Sequence, residues 1–201
     1  MMDGVLPRGL IVALQFLTRL PTPALGDFSS DDTAASAKWY PLVGLIVGGL
    51  VACVYWAGHF VTPWFAALCT VLVWIWITGA LHLDGLADTA DGLGAAHRDP
   101  ARFLEVVRDP NVGSFGVIAL VLVIAAKLIL LAGLPSLAIA LALVPAWARW
   151  GPTVWRNLVP PLGDGRGKDF SAHQDWRWVA ANGAVLVAAS LWFAPALLLS
   201  L

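Results

Sequence analysis

The chain has 201 residues, 59% of them hydrophobic and only 12% charged, with a mean hydropathy of +0.78. Soluble domains carry about 25% charged residues, so this composition excludes an ordinary soluble protein and indicates an integral membrane protein whose first partner is the lipid bilayer. The formal net charge of −1 leaves no basic stripe for nucleic acid. Cys53 and Cys69 sit inside apolar runs and form no C-x-x-C pair, which excludes a disulfide framework and a thiolate metal site.

In chain order, Arg8 is followed by an apolar stretch that ends at Arg19 and Pro21 without a small-residue cleavage motif, so no signal peptide is expected. Residues 5–20 are too short to span, and Gln15, Thr18 and Arg19 near one end predict an interfacial or re-entrant helix. The polar connection 21–38 offers Ser30 or Asp31 as the cap of a short helix. Stretches of roughly the ~20 residues that cross a bilayer follow at 39–58, 62–81, 114–134, 136–156 and 178–201. The short joints at 58–63 and 134–136 predict antiparallel hairpins of the first and second, and of the third and fourth, of these stretches. The expected fold is all-α: a polytopic helical bundle with about five spans plus the N-terminal interfacial helix, in a single membrane domain over residues 1–201.

Arg8, Arg19 and Lys38 precede the first span, Arg98, Arg102 and Arg108 lie between the second and third, and Arg166, Lys168 and Arg177 between the fourth and fifth. The joints on the other side carry no Lys or Arg, and all 13 Asp and Glu fall on the basic side. The positive-inside rule makes that side cytoplasmic and puts any chemistry there. Trp39, Trp56, Trp64, Trp155, Trp176 and Trp178 fall near span ends, as an interfacial belt would. Lys127 and Arg149 lie inside the third and fourth spans, and basic residues at such depth are functional candidates unless they snorkel, which Lys127 can do to the outer interface.

The most specific stretch is G-A-L-H-L-D-G-L-A-D-T-A-D-G-L-G at 79–94. If it is helical, the ~100° step puts Asp84, Asp88 and Asp91 on one narrow face. At ~5 Å and an effective dielectric of ~20, each ionised pair repels by roughly 3 kcal/mol, which calls for a cation. Oxygen-only ligands suit Mg²⁺ or Mn²⁺ better than zinc. His82 lies about 200° from Asp84 and reads as a helix-end or supporting residue. Gly85, Gly92 and Gly94 weaken a plain helix, and either the approach of a bulky polyanion or close helix packing explains them.

Arg98 and Arg102 share a helix face beside the acids, with Arg108 at its far end. Such arginines either hold phosphoryl oxygens or only set topology. Asp109 opens a turn, D-P-N-V-G-S, after which Gly113, Ser114 and neighbouring amides either seat a phosphate or form an ordinary capped helix start. The glycine-charge alternation at 163–170, with Arg166 and Lys168, reads as a flexible basic lid; it lacks the G-K-[ST] ending of a P-loop. No Ser-His-Asp ordering, H-E-x-x-H or G-x-G-x-x-G after a strand is present.

Together H-L-D-G-L-A-D-T-A-D-G-L-G at 82–94, Thr78-Gly79, F-L-T-R-L-P-T-P at 16–23, R-D-P-N-V-G-S-F-G-V at 108–117 and Ala126-Lys127 resemble the cobalamin synthase family, the adenosylcobinamide-GDP ribazoletransferases. The resemblance implies a Mg²⁺-dependent membrane enzyme of the prokaryotic cytoplasmic (inner) membrane, acting in the last steps of cobalamin assembly. Its substrates would be adenosylcobinamide-GDP and α-ribazole or its 5′-phosphate, with other enzymes of nucleotide-loop assembly as partners. Asp84, Asp88 and Asp91 would hold the metal, and one of them or Asp109 would accept the nucleophile's proton. His82, Arg98, Arg102, Arg108, Gly113, Ser114, Arg166 and Lys168 would contact substrate. Two departures stand out: members commonly carry a basic residue where this chain has Asn111, and they usually continue past the position of Leu201 with a further G-D-x-x-G-A type motif. The alternatives are a CDP-alcohol phosphotransferase, whose D-G-x-x-A-R pattern fails at Asp88, a cation transporter using the acidic face, and a purely structural membrane subunit.

Overall fold

The first apolar run folds as α1 (Arg8–Leu17) in the computed structural model, which describes residues 6–26, 29–96, 99–133, 138–160 and 175–198. Ten residues reach only ~15 Å, about half a hydrocarbon core, so α1 does not span. It buries Leu10, Ala13, Leu14 and Leu17 against Val43, Val47 and Ile77, as an interfacial helix packed on the bundle would. Thr18 ends it, its hydroxyl donating to Leu14 O (2.7 Å) and accepting from Leu20 N (3.2 Å).

Helix α2 (Ser30–Ser36) is capped by Ser29, one residue before the expected cap, because only Ser29 has its mate at the third helical position. Ser29 Oγ accepts from Asp32 N (3.2 Å) while Asp32 Oδ2 accepts from Ser29 N (3.1 Å), a reciprocal capping box. A 3-10 turn, Ala37–Trp39, carries the chain into α3 (Tyr40–His59), and α4 (Pro63–Thr78) returns along it. Thr62 caps α4 by accepting from Phe65 N (3.0 Å). Then come α5 (Leu81–Ala96), α6 (Pro100–Val107), α7 (Ser114–Gly133), α8 (Ala138–Leu158) and α9 (Trp176–Leu198). Among the described residues there is no strand.

The most extensive contact is α3 on α8. Lipid is as apolar as the helices, so dispersion between close backbones drives this pairing. Gly44 and Gly48, one turn apart, supply the closeness: a Cβ on Gly44 would lie 2.5 Å from Pro145 O, and one on Gly48 2.7 Å from Ala142 Cα. On the other side α7 packs on α4, and Tyr55 Oη donates to Leu131 O (3.0 Å).

Two expectations change. The hairpin of α7 along α8 is not formed as a packed pair, because the glycine stripe of α3 takes α8 while α4 takes α7. The two helices meet near Leu131 and Leu141 and leave a cleft beyond. Among the described residues, the run 32–59 and α7 are long and apolar enough to span by themselves, and a third span exists only if α4 and α5 are joined across an 87° bend. The expected second span therefore breaks at its end, where the acidic motif begins.

Candidate active site

The bend is built from two residues in the left-handed region, Gly79 (φ 62°) and Ala80 (φ 62°). Ala80 N donates to Ile75 O (3.0 Å) and Gly79 N to Trp76 O (3.2 Å), which closes α4 with a Schellman-type pattern. Arg19 locks the bend from α1: its N–H donates to Ile77 O (2.7 Å), and its side chain lies over Gly79, where a Cβ would come within 2.7 Å of Nε. The F-L-T-R-L-P segment thus acts as a brace under the acidic helix.

Helix α5 is regular through 81–96 despite its glycines. Gly92 and Gly94 are packing positions, where added Cβ atoms would meet Phe103 (2.8 Å) and Phe115 (2.6 Å), whereas Gly85 faces open space. The packing reading holds at Gly92 and Gly94. Of the three glycines of α5, Gly85 alone leaves open backbone, beside the first two aspartates.

The three aspartates share a face and differ in burial: Asp84 is exposed, Asp88 half-buried and Asp91 buried at 8%. Asp91 is fully engaged. Its Oδ2 accepts from Gly113 N (2.7 Å) and its Oδ1 from Gly116 N (2.8 Å), capping α7 from a neighbouring helix. The amides nominated as a phosphate seat at Gly113 thus receive a carboxylate of the chain itself, and Ser114 is the first residue of α7. A Cβ at Gly113 would collide with that carboxylate.

The shared face expected from spacing is present, while the three-way ligand set is not: among the described residues no three His, Cys, Asp or Glu side chains converge to hold a metal ion. Asp84 and Asp88 remain, and no hydrogen bond or ion pair engages the carboxylate of either one among the described residues. Burial, then Asp84, then Asp91 push the Asp88 carboxyl above the usual carboxylate range. A hard divalent cation is commonly held by one or two carboxylates with water and substrate phosphates completing its shell, and this pair fits that requirement.

The remaining nominated residues are placed as follows. Asp109 is exposed and anchors its turn, Oδ1 accepting from Asn111 N (2.9 Å) and Asn111 Nδ2 (2.7 Å); those two bonds hold its carboxyl below the usual range. Asn111, where a phosphate contact was in doubt, is thus a turn former. Arg102 pairs with Glu105 (2.7 Å) on the exposed side of α6, and Arg108 is the exposed C-terminal cap of that helix. His82 turns away from the acids and lines two cavities on the far flank of α5. Arg98, Arg166 and Lys168 lie outside the described residues.

Sequence reasoning missed Arg19 as a brace and Asp91 as a cap. The second had a signal: Gly113 stands where a capping Ser, Thr, Asp or Asn belongs, so α7 needs an acceptor from elsewhere.

The family model described as cobalamin-5-phosphate synthase matches residues 9–201. The chain is 54% identical over 186 residues to the adenosylcobinamide-GDP ribazoletransferase of Thiobacillus denitrificans, covering 91% of this chain and 75% of the relative. Identity is 49% over 200 residues with the same-named protein of Laribacter hongkongensis, and 50% over 198 residues with that of Novosphingobium aromaticivorans, in each case covering 96% of this chain and 80% of the relative. No solved structure matches the chain. With a family model spanning almost its whole length and relatives sharing about half of its residues, the chain belongs to the cobalamin-5-phosphate synthase family.

Proposed function

We propose that the chain joins adenosylcobinamide-GDP to α-ribazole or its 5′-phosphate, giving adenosylcobalamin or its 5′-phosphate and GMP. A ribose hydroxyl of the nucleophile forms a new O–P bond at the cobinamide-linked phosphorus. The P–O bond to GMP breaks, and the hydroxyl proton passes to a carboxylate. The observation that carries this reading is the pair Asp84 and Asp88, whose carboxylates have no partner among the described residues, beside the open backbone at Gly85.

Asp84 and Asp88 would hold a Mg²⁺ ion, which when bound neutralises phosphoryl oxygens and favours the leaving group. Asp84 and Asp88 flank the open backbone at Gly85, where a cation held between them would receive the diphosphate, and Asp91 keeps α5 fixed against α7 so that the pair stays aimed there. As proton acceptor Asp109 is disfavoured, since the Asn111 N–H groups stabilise its ionised form. The distribution of Lys and Arg supports a cytoplasmic active face in a prokaryotic inner membrane.

The test is GMP release by the purified protein in detergent with adenosylcobinamide-GDP, α-ribazole and Mg²⁺. Chelation and Asp88→Asn should each lower turnover by about 10²-fold or more, the scale seen when preorganised charge stabilisation is removed. Undiminished turnover in Asp84→Ala and Asp88→Asn would remove the metal assignment.

A further inference from the structure

The cleft left by the splay of α7 and α8 contains a charge that no acidic side chain among the described residues answers. Arg149, in α8, is only 3% exposed. Its Nη1 donates to Pro145 O (3.1 Å), while Nε and Nη2 have no hydrogen-bond partner among the described residues. Those two atoms form one edge of the guanidinium, the edge that takes two oxygens of a phosphate side by side.

Two cavities meet at this side chain. One of about 220 Å³ lies between α4, α5, α7 and α8; the other, of about 280 Å³, lies toward α1 and α3. His82 and Arg149 line both. Lys127 enters the first, with Nζ 4.4 Å from the centre of the Trp74 ring, so it faces the bundle and does not snorkel outward. Arg156 lines the second, and among the described residues no carboxylate lines either. A single water needs about 10–15 Å³ of such space, so each cavity has room for a polyatomic anion. Convergent cations within apolar walls concentrate a positive field, and an ionised guanidinium held there without a counter-charge is strongly unfavourable until an anion arrives.

We propose that Arg149, with Lys127 and His82, forms a phosphate subsite for the non-reacting 5′-phosphate of α-ribazole 5′-phosphate. This rests on the proposed reaction. In the proposed reaction the diphosphate sits at the cation that Asp84 and Asp88 would hold, whereas the cleft lies on the opposite flank of α5: His82 is two positions, about 200° of helix, from Asp84. A phosphate on that flank binds and orients its nucleoside and does not react. Arg149 is then a specificity-determining residue, selecting the phosphorylated nucleophile over α-ribazole.

The experiment compares KM and kcat for α-ribazole 5′-phosphate and α-ribazole in the full chain and in Arg149→Met, alongside thermal unfolding with and without inorganic phosphate. The parent should prefer the phosphorylated nucleophile, and Arg149→Met should raise its KM by about tenfold or more, the loss of one charge-assisted pair, with the KM for α-ribazole unchanged. Without phosphate, Arg149→Met should unfold at or above the parent temperature, because a buried unpaired charge is removed. Inorganic phosphate should raise the unfolding temperature of the parent alone. Arg149→Lys, which keeps the charge and loses the fork, should fall between the two.

Equal KM increases for both nucleophiles, a parent without preference, or an Arg149→Met protein that is less stable in the absence of phosphate would overturn the assignment. So would stabilisation through Arg149 by phosphatidylglycerol and not by phosphate, since the occupant would then be a lipid headgroup. Absence of turnover with either nucleophile would sink the reaction instead; Arg149-dependent stabilisation by phosphate would still report the anion site.

Discussion

Replacing Asp91 by alanine separates a helix-capping carboxylate from a metal ligand, because the two roles predict opposite signs when no metal is present. Asp91 accepts from Gly113 N at 2.7 Å and from Gly116 N at 2.8 Å, at 8% exposure. A hydrogen bond to a charged group contributes about 1.5–3 kcal/mol in substitution experiments, and the favourable placement of a carboxylate at a helix N-terminus overlaps with that value. Losing two such bonds, with partial rehydration of the freed amides, gives an expected loss of about 3–5 kcal/mol for Asp91→Ala. Asp91→Asn keeps one acceptor oxygen but turns an NH₂ toward a donor, for about 2–3 kcal/mol. Against a typical total of about 5–15 kcal/mol, either loss is easily measured. The assay is unfolding in detergent with EDTA present, combined with hydrogen exchange at the first turn of α7, where the amides of Gly113 and Gly116 should lose protection in both variants. A ligand with no capping role behaves oppositely, since removing one of three mutually repelling carboxylates stabilises the metal-free protein. Asp91→Ala at or above the parent stability in EDTA would refute the capping argument and return Asp91 to the metal site.

Three further outcomes follow from the same geometry. Burial and the neighbouring carboxylates of Asp84 and Asp91 raise the Asp88 pKa in the folded state above its ordinary value, so its ionised form destabilises the fold at neutral pH; that cost is relieved as pH falls through the raised value and is gone below the ordinary one. Asp88→Asn should therefore raise the unfolding temperature in EDTA at neutral pH and remove this pH-dependent component, and an unchanged pH profile would count against the carboxylate cluster. At the α3–α8 contact, Gly48→Ala places a Cβ 2.7 Å from the Ala142 backbone and should cost about 1–3 kcal/mol, whereas Gly49→Ala, with nothing within 4 Å of its added Cβ, should be neutral; equal unfolding temperatures for the two would contradict the close packing. At the bend, Ala80→Gly relieves a left-handed alanine by about 1–2 kcal/mol and gives back about 0.4–1 in unfolded-chain entropy, so thermal unfolding should show a neutral to slightly stabilised protein, and a clear loss would argue against the positive φ.

The helices were legible because each is written locally. The apolar runs ending at His59 and Gly133 have span length, Pro63 sits where a first helical residue can be proline, and the ~100° step alone put Asp84, Asp88 and Asp91 on one face. What the sequence did not show depends on contacts between elements distant in the chain. Nothing local distinguishes the second apolar stretch from a straight span; the break at Gly79 and Ala80 is fixed by Arg19, some 60 residues earlier, as the Arg19 N–H to Ile77 O bond shows. Pairing was inferred from short joints, which describe only the ends of helices, whereas the choice of α3 over α7 as the partner of α8 lies in Gly44 and Gly48.

The same distinction applies to the acidic face, where spacing gave the shared face of α5 and not the separate contacts of its members. Spacing reports which carboxylates are neighbours but not what each one already binds. Asp91 is oriented by the amides of a helix that starts 23 residues later, and once it is subtracted two protein carboxylates and an exposed glycine are left for the proposed cation. A metal held by two carboxylates needs further oxygens, and in a phosphoryl transferase the substrate can supply them. On this argument metal and diphosphate bind as a unit: metal affinity should rise when adenosylcobinamide-GDP is present, and titration of Mn²⁺ by electron paramagnetic resonance with and without that substrate measures it. Equal Mn²⁺ affinity in both conditions would mean that the protein alone completes the site, and Asp91 would then have to leave the α7 amides to do so.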